Sequence, residues 1–212
     1  THRQSSAASD VYKRQPRLMT FLFDIGNVLL KLHFESYRAK VLGDANAPLP
    51  DKLGALKDPY ETGQISDNEF VTKSLQILKS NLSPQDYTEA WQDIFSPNNP
   101  MWKVVEKLQT NGYRLILFSN TNALHSTFFL KRYEVFQYFQ HHHFSQEVGA
   151  IKPHDDFYQK AVDTYDLIPA ETAYLDDLPE NIATGKAFGF QSWQYDFNNH
   201  AACLDWLKSL GI

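Results

Sequence analysis

Four short segments carry groups whose types suit phosphoryl chemistry. Asp24 follows the apolar run Thr20-Phe21-Leu22-Phe23 and precedes Ile25-Gly26-Asn27-Val28-Leu29. Its carboxylate therefore stands at the mouth of a buried strand, beside a glycine that leaves room for a phosphate-sized group. Such a carboxylate can attack phosphorus and form an aspartyl-phosphate, splitting one hard displacement into two easier ones. Phe118-Ser119-Asn120-Thr121-Asn122 brings a hydroxyl at Ser119 and turn amides around Asn120, groups that can grip phosphoryl oxygens. Ala150-Ile151-Lys152-Pro153 brings Lys152, a point cation. Tyr174-Leu175-Asp176-Asp177 brings two hard oxygen ligands of the kind magnesium prefers. Each segment alone also reads plainly, as a strand-end turn, a polar loop, a solvated lysine and an acidic loop. The order Asp, Ser, Lys, Asp-Asp along one chain is far more specific than any of them.

These residues span most of the chain, so the fold must bring them together. From Thr20 onward short apolar runs alternate with amphipathic stretches, the pattern of a parallel sheet covered on both faces by helices. Strands are expected at 21–23, 114–118, 142–145, 173–175 and 192–195. Ligands of open parallel sheets bind beyond the carboxyl ends of the strands, where Asp24, Ser119 and Asp176 fall and to which a short loop brings Lys152. Helices are expected from Asn99-Pro100 to Gly112, from near Pro153, from Pro179 to Phe188, and from about Asn199 to Leu210. Residues 31–97 break the alternation and read as short helices at 34–42, 51–56, 66–78 and 83–95. Capping-box spacing marks two of these starts, Ser66 to Glu69 and Ser83 to Asp86.

The chain has 212 residues, 42% hydrophobic and 14% aromatic, enough for one sizeable core with an insert. A net charge of -5 without a dense basic block makes nucleic acid and anionic membranes poor partners. The single cysteine, Cys203, cannot form an internal disulfide, and no apolar stretch reaches membrane-span length. A cytoplasmic protein is the expectation. Residues 1–15 are polar and lack the apolar core of a secretory signal. The string Ser9-Asp10-Val11-Tyr12-Lys13-Arg14-Gln15 is encodable by DNA resembling a transposase-end sequencing adapter. The working hypothesis is a non-native or disordered tail before Met19; a clean genomic read through these codons would sink the adapter origin.

Together the four segments resemble the haloacid dehalogenase superfamily of phosphohydrolases, from Thr20 to the C-terminus and in the family's motif order. The resemblance implies an α/β fold, a doubly wound parallel-sheet core (19–30 and 98–212) with a small helical cap (31–97) inserted after the first strand. It implies that Asp24 is the nucleophile and that Ser119, Asn120 and Lys152 hold the phosphoryl group of a small phosphorylated metabolite. It further implies that Asp24, Asp176 and the backbone carbonyl of Gly26 bind Mg²⁺, with Asp177 or Asn181 supporting that site. Phe23-Asp24-Ile25-Gly26-Asn27-Val28, Ser119-Asn120-Thr121-Asn122 with His125, and Gly63-Gln64-Ile65-Ser66 are similar to the bacterial alpha-D-glucose-1-phosphate phosphatase branch.

The departure is Gly26, where most family phosphatases carry a second aspartate as general acid and base. Such a group contributes about 10²–10⁴-fold, so its absence favours anomeric or acyl phosphates, whose leaving groups need less proton help, over primary-alcohol phosphates. Two rivals follow: a metal-independent 2-haloacid dehalogenase, and a non-catalytic phosphate-binding protein. Clustered carboxylates argue against the first, because a metal-free site gains nothing from them. Other features read as bland. Adjacent His141, His142 and His143 on a strand point to opposite faces and suit no shared metal. Trp91, Trp102, Trp193 and Trp206 read as packing. His125 reads equally as pocket wall or helix face, and His33 and Tyr60 are expected as substrate contacts near the cap.

Overall fold

The computed structural model describes residues 19–212, so the tail expected at 1–18 lies outside the described residues. The chain runs β1 (Thr20–Phe23), β2 (Leu30–Leu32), α1 (Phe34–Leu42), α2 (Asp51–Gly54), α3 (Lys57–Glu61), α4 (Asp67–Leu78), α5 (Pro84–Gln92) and β3 (Phe95–Pro97). It continues through α6 (Asn99–Thr110), β4 (Arg114–Ser119), α7 (Ala123–Arg132), β5 (His141–Phe144), α8 (Ser145–Val148) and α9 (Asp155–Tyr165). It ends with β6 (Thr172–Asp176), α10 (Pro179–Ala187), β7 (Gln191–Gln194) and α11 (His200–Ser209).

Five strands form one parallel sheet in the order β5-β4-β1-β6-β7. Alternate side chains serve opposite faces. Phe21, Phe23, Leu115, Leu117, Ala173 and Leu175 pack with α6, α7 and α11 on one side. Leu22, Ile116, Phe118 and Tyr174 pack with α9 and α10 on the other. Burial on both faces is why these strands read as continuous apolar runs. Because β4, β1 and β6 are neighbours, Ser119, Asp24 and Asp176 emerge side by side at their carboxyl ends.

The insert has a core of its own, built on Tyr37, Tyr60, Phe70, Tyr87 and Ile94 and joined by Trp91. Both serines at the expected capping positions cap their helices: Ser66 Oγ accepts from the Glu69 N–H at 3.2 Å and Ser83 Oγ from the Asp86 N–H at 3.1 Å. Several expectations change. The helix read over 51–56 ends at Gly54, and α3 follows it. The helix read over 83–95 ends at Gln92, and β3 pairs antiparallel with β2, Leu32 opposite Phe95. This ribbon, which carries the chain into and out of the insert, joins residues remote in sequence, so no local periodicity announces it. The helix expected near Pro153 begins at Asp155, because His154 is extended (φ -68°, ψ 137°). Among the described residues no helix is long and apolar enough to cross a membrane.

Candidate active site

Lys152 is the hub. Its ammonium donates to Asp24 Oδ1 at 2.8 Å, to Asp176 Oδ2 at 2.6 Å and to the Phe118 carbonyl at 2.8 Å. All three of its protons are thus committed to protein acceptors, and its contribution to a phosphoryl group is charge. The loop that presents it is held by Asn120, whose Nδ2 donates to the Lys152 carbonyl at 2.9 Å and whose Oδ1 accepts from the Lys152 N–H at 2.8 Å. The side chain of Asn120 thus clamps the lysine loop, while the residue itself lines the cavity. Ser119, buried at the end of β4, lines the cavity beside Asp24. The turn after it is braced by Ser145 Oγ, which accepts from the Thr121 N–H at 2.9 Å and donates to the Thr121 carbonyl at 3.0 Å.

Asp176 is wholly buried. Oδ2 accepts from Lys152 and from the Tyr174 hydroxyl at 2.6 Å, while Oδ1 accepts from Asn181 Nδ2 and the Leu178 N–H, both at 2.9 Å. Asn181 therefore positions Asp176. Asp177 is less buried and accepts from Asn27 Nδ2 at 3.0 Å. Asn27 reaches it from a left-handed backbone (φ 52°), a conformation asparagine tolerates better than most residues. A Cβ at Gly26 would lie 3.7 Å from Asp24 Oδ2 and 3.1 Å from Leu32 Cδ1. Leu32 thus crowds the space that a second aspartate would need.

Asp24, Asp176 and Asp177 each offer an oxygen within 4.8 Å of the others. Burial, then the two neighbouring carboxylates, push Asp24 up to about 7 against the pull of Lys152. Burial, then Asp176, also raises Asp177, against the pull of its bond from Asn27. Burial alone would lower Lys152, but Asp176 and Asp24 outweigh it and hold the ammonium charged. Three carboxylates against one ammonium leave an uncompensated charge, and their hard oxygens fit a divalent cation such as Mg²⁺.

The sequence profile of the haloacid dehalogenase-like hydrolases matches residues 18–189. The chain belongs to this family. It is 24% identical to the D-ribitol-5-phosphate phosphatase of Bacteroides thetaiotaomicron, over 92% of this chain and 98% of that protein. In solved structures it is similar to a haloacid dehalogenase family enzyme of B. thetaiotaomicron in complex with magnesium and inorganic phosphate. That likeness has a TM-score of 0.76 and 20% identity, covering 84% of this chain and 94% of the other. It is also similar to a hydrolase of the same family from Porphyromonas gingivalis (TM-score 0.73, 25% identity, 91% and 98% coverage).

In this hydrolase the insert roofs a cavity of about 370 Å³ whose floor holds Asp24, Ser119, Lys152 and Asp177. The roof brings Leu49, Leu53, Phe70 and Trp91, together with Tyr60 and Glu61 from α3. Tyr60 is buried there, its hydroxyl donating to Asp67 at 2.7 Å. His33 is not among the lining residues. Its ring binds Ser96 Oγ at 2.7 Å and Glu35 at 3.0 Å, tying β3 to the entry of the insert, so it is a joint and no substrate contact. His125 is buried in the wall and its ring stacks on Trp91 with centroids 4.7 Å apart. Trp91 is thus both packing and wall, while Trp193 and Trp206 stack on each other. His141 and His142 are exposed and His143 is buried against the Phe157 carbonyl, so the three share no site. Sequence reading missed Asn27, Tyr174 and Glu61; only Asn27, directly after the glycine of the first motif, carried a local signal.

Proposed function

We propose that this chain is a Mg²⁺-dependent phosphomonoester hydrolase acting through an aspartyl-phosphate on Asp24. Its substrate is a small phosphorylated metabolite, a sugar phosphate such as α-D-glucose 1-phosphate. The observation that carries this reading is the buried clasp of Lys152 between Asp24 and Asp176, with Asp177 beside it, at the floor of a roofed cavity. Asp24 attacks phosphorus, and the bond to the leaving oxygen breaks with its electron pair. The leaving oxygen takes its proton from solvent. Water then attacks the same phosphorus and gives up a proton to solvent, the bond from the Asp24 carboxylate oxygen to phosphorus breaks with its electron pair returning to the carboxylate, and inorganic phosphate results. Lys152, fixed by Phe118, keeps one Asp24 oxygen oriented and offsets phosphoryl charge throughout. Asp24, Asp176, Asp177 and the Gly26 carbonyl would hold the cation, whose charge would neutralise phosphoryl oxygens, and Asp176 also positions Lys152.

Glycine at 26, with Leu32 against it, supplies no proton to the leaving oxygen. This supports a preference for esters with acidic leaving groups and the likeness to the glucose-1-phosphate branch. The test is phosphate release from α-D-glucose 1-phosphate, glucose 6-phosphate and D-ribitol 5-phosphate, with Mg²⁺ and then with EDTA. The expected result is metal-dependent release favouring the 1-phosphate, lost by on the order of 10³-fold or more in Asp24→Asn. Equal turnover of all three esters would overturn the leaving-group argument. Chelator-insensitive chloride release from a 2-haloacid would replace the phosphatase with a dehalogenase. Phosphate binding without any turnover would leave a binding protein.

A further inference from the structure

On the face of the sheet covered by α9 and α10, β6 carries a hydroxyl that packing alone does not call for. Tyr174 is wholly buried in the apolar cluster of Leu22, Phe118, Phe157 and Phe190, where a phenylalanine would fill the same space. It stands two residues before Asp176 on β6, so both side chains leave the same face of the strand. Its hydroxyl donates to Asp176 Oδ2 at 2.6 Å, the length of a charge-assisted bond. The neighbouring Tyr158 hydroxyl lies 3.4 Å away and spends its own proton on the Asn181 carbonyl at 2.9 Å. The Tyr174 proton therefore belongs to Asp176.

The covering helix makes room for this ring. A Cβ at Gly185 of α10 would stand 2.6 Å from Tyr174 Cδ1, so a larger residue there would push the ring aside. Gly185 lies one turn after Asn181, on the same face of α10. Asn181 in turn holds Asp176 Oδ1. One close contact between helix and strand thus brings the phenol and the amide onto the two oxygens of one carboxylate.

The two groups on Oδ2 differ in stiffness. Lys152 reaches it on a flexible four-carbon stem from a loop, whereas Tyr174 is set on the strand itself. Without the phenol the carboxylate can turn with the ammonium, away from Asp24 and Asp177, whose oxygens lie within 4.8 Å of its own.

Resting on the phosphatase reading above, we propose that Tyr174 is a positioning residue of the cation site: its hydroxyl fixes Asp176 so that the three carboxylates converge for Mg²⁺. Tyr174 does not line the cavity and acts only through Asp176.

The test is calorimetric titration of Mg²⁺ into the full chain, with Tyr174→Phe beside Tyr37→Phe. Tyr37 is an equally buried phenol in the insert, its hydroxyl 2.8 Å from that of Tyr87, so its variant measures the loss of a buried hydroxyl as such. The expected result is a Kd for Mg²⁺ raised tenfold or more in Tyr174→Phe, the usual cost of removing an outer partner of a metal ligand, and kept within twofold in Tyr37→Phe. In hydrolysis of p-nitrophenyl phosphate the Mg²⁺ concentration giving half the maximal rate should rise in step, while kcat at saturating Mg²⁺ stays within a few-fold of wild type. Equal changes in Mg²⁺ affinity in the two variants, or none in either, would overturn the positioning role and leave the phenol to packing. A kcat deficit that saturating Mg²⁺ does not recover would overturn it in favour of action on Lys152 and the nucleophile. Wild-type protein that binds no Mg²⁺ would overturn the metal-dependent reading and the proposal with it.

Discussion

The floor and the roof of the cavity are built on opposite terms. On the floor, two buried carboxylates and one ammonium share a closed set of hydrogen bonds: Lys152 spends three protons and Asp176 accepts four bonds. The two carboxylates stand at the ends of the adjacent strands β1 and β6, whose side chains are buried on both faces, and Lys152 reaches them from the loop after α8. The roof is packed by rings, Tyr60 stacked on Phe70 at 4.0 Å and Trp91 on His125 at 4.7 Å, yet leaves Glu61 Oε2 and Trp91 Nε1 without a hydrogen-bond partner. The floor therefore has its charge organised before any substrate arrives, which is where electrostatic catalysis gains most. The roof is held by ring packing and leaves its buried polar atoms less completely satisfied. Floor and roof are separated in space, and so can be broken separately.

The largest effect should come from breaking the floor. Lys152→Met keeps much of the stem but leaves Asp24 and Asp176 buried together without their cation. A buried ion pair is weak evidence of net stabilisation, but removing one partner is costly, about 3–5 kcal/mol. The expected outcome is a loss of that size in urea unfolding. Mg²⁺ should recover part of it, because an ion bound only by the folded state stabilises that state. Pairing Lys152→Met with Asp24→Asn should cost less than additivity predicts, since the second change removes one of the stranded charges. An unaltered urea midpoint in Lys152→Met would mean that solvent already relieves the floor, and the contrast with the roof would fail.

The floor was legible in the sequence for the same reason that it is rigid. Strands covered on both faces are written as unbroken apolar runs, and a carboxylate or serine at the end of such a run is conspicuous, as at Asp24, Ser119 and Asp176. What escaped depends on contacts between distant segments. The β2–β3 ribbon pairs Leu32 with Phe95 and has three residues a side, too short for any pattern. The clamp made by the Asn120 side chain escaped because its partner, the backbone of Lys152, is 32 positions away. Tyr174 read as one more apolar strand residue, although its hydroxyl serves Asp176. Glu61 sits in a stretch with Lys57 and Asp58, where an acid is ordinarily solvated; only the packed insert removes it from water.

The second effect concerns the joint between the two halves. His125 Nδ1 meets Asn122 Nδ2 at 3.1 Å and Nε2 meets the Trp91 carbonyl at 2.9 Å. The neutral tautomer with its proton on Nε2 satisfies both contacts. Burial holds this imidazole down at about 4, from an ordinary value of 6.5, against the pull of its bond to Trp91. Between those values the unfolded chain binds a proton that the folded chain refuses. Stability contributed at neutral pH is therefore lost as pH falls from 6.5 towards 4, by up to about 3 kcal/mol. His143, also held at about 4 by burial, contributes its own share. The difference between wild type and His125→Gln isolates the joint: the variant's stability should fall less steeply across that interval in urea titrations. Parallel slopes would mean that His125 is solvated and that floor and roof are not clasped there.

The smallest effect should sharpen the contrast by moving the roof alone. Gly63 lies in the turn between α3 and α4 with φ +70°, and a Cβ there would stand 2.5 Å from the backbone carbonyl oxygen of Gln146, in α8 of the core. Gly63→Ala meets both a left-handed backbone, unfavourable by about 1–2 kcal/mol for a residue with a Cβ, and a backbone atom that cannot turn aside. The turn must lift from α8, carrying Glu61, two positions earlier, with it. A roof displaced at that cost in the bound state corresponds to about a 5–30-fold rise in KM. The catalytic constellation lies on other segments, so kcat at saturation should stay within a few-fold of wild type. Steady-state kinetics separates the two parameters. A fall in kcat instead would mean that this turn also supports the floor, and that the two regions are less independent than their bonding suggests.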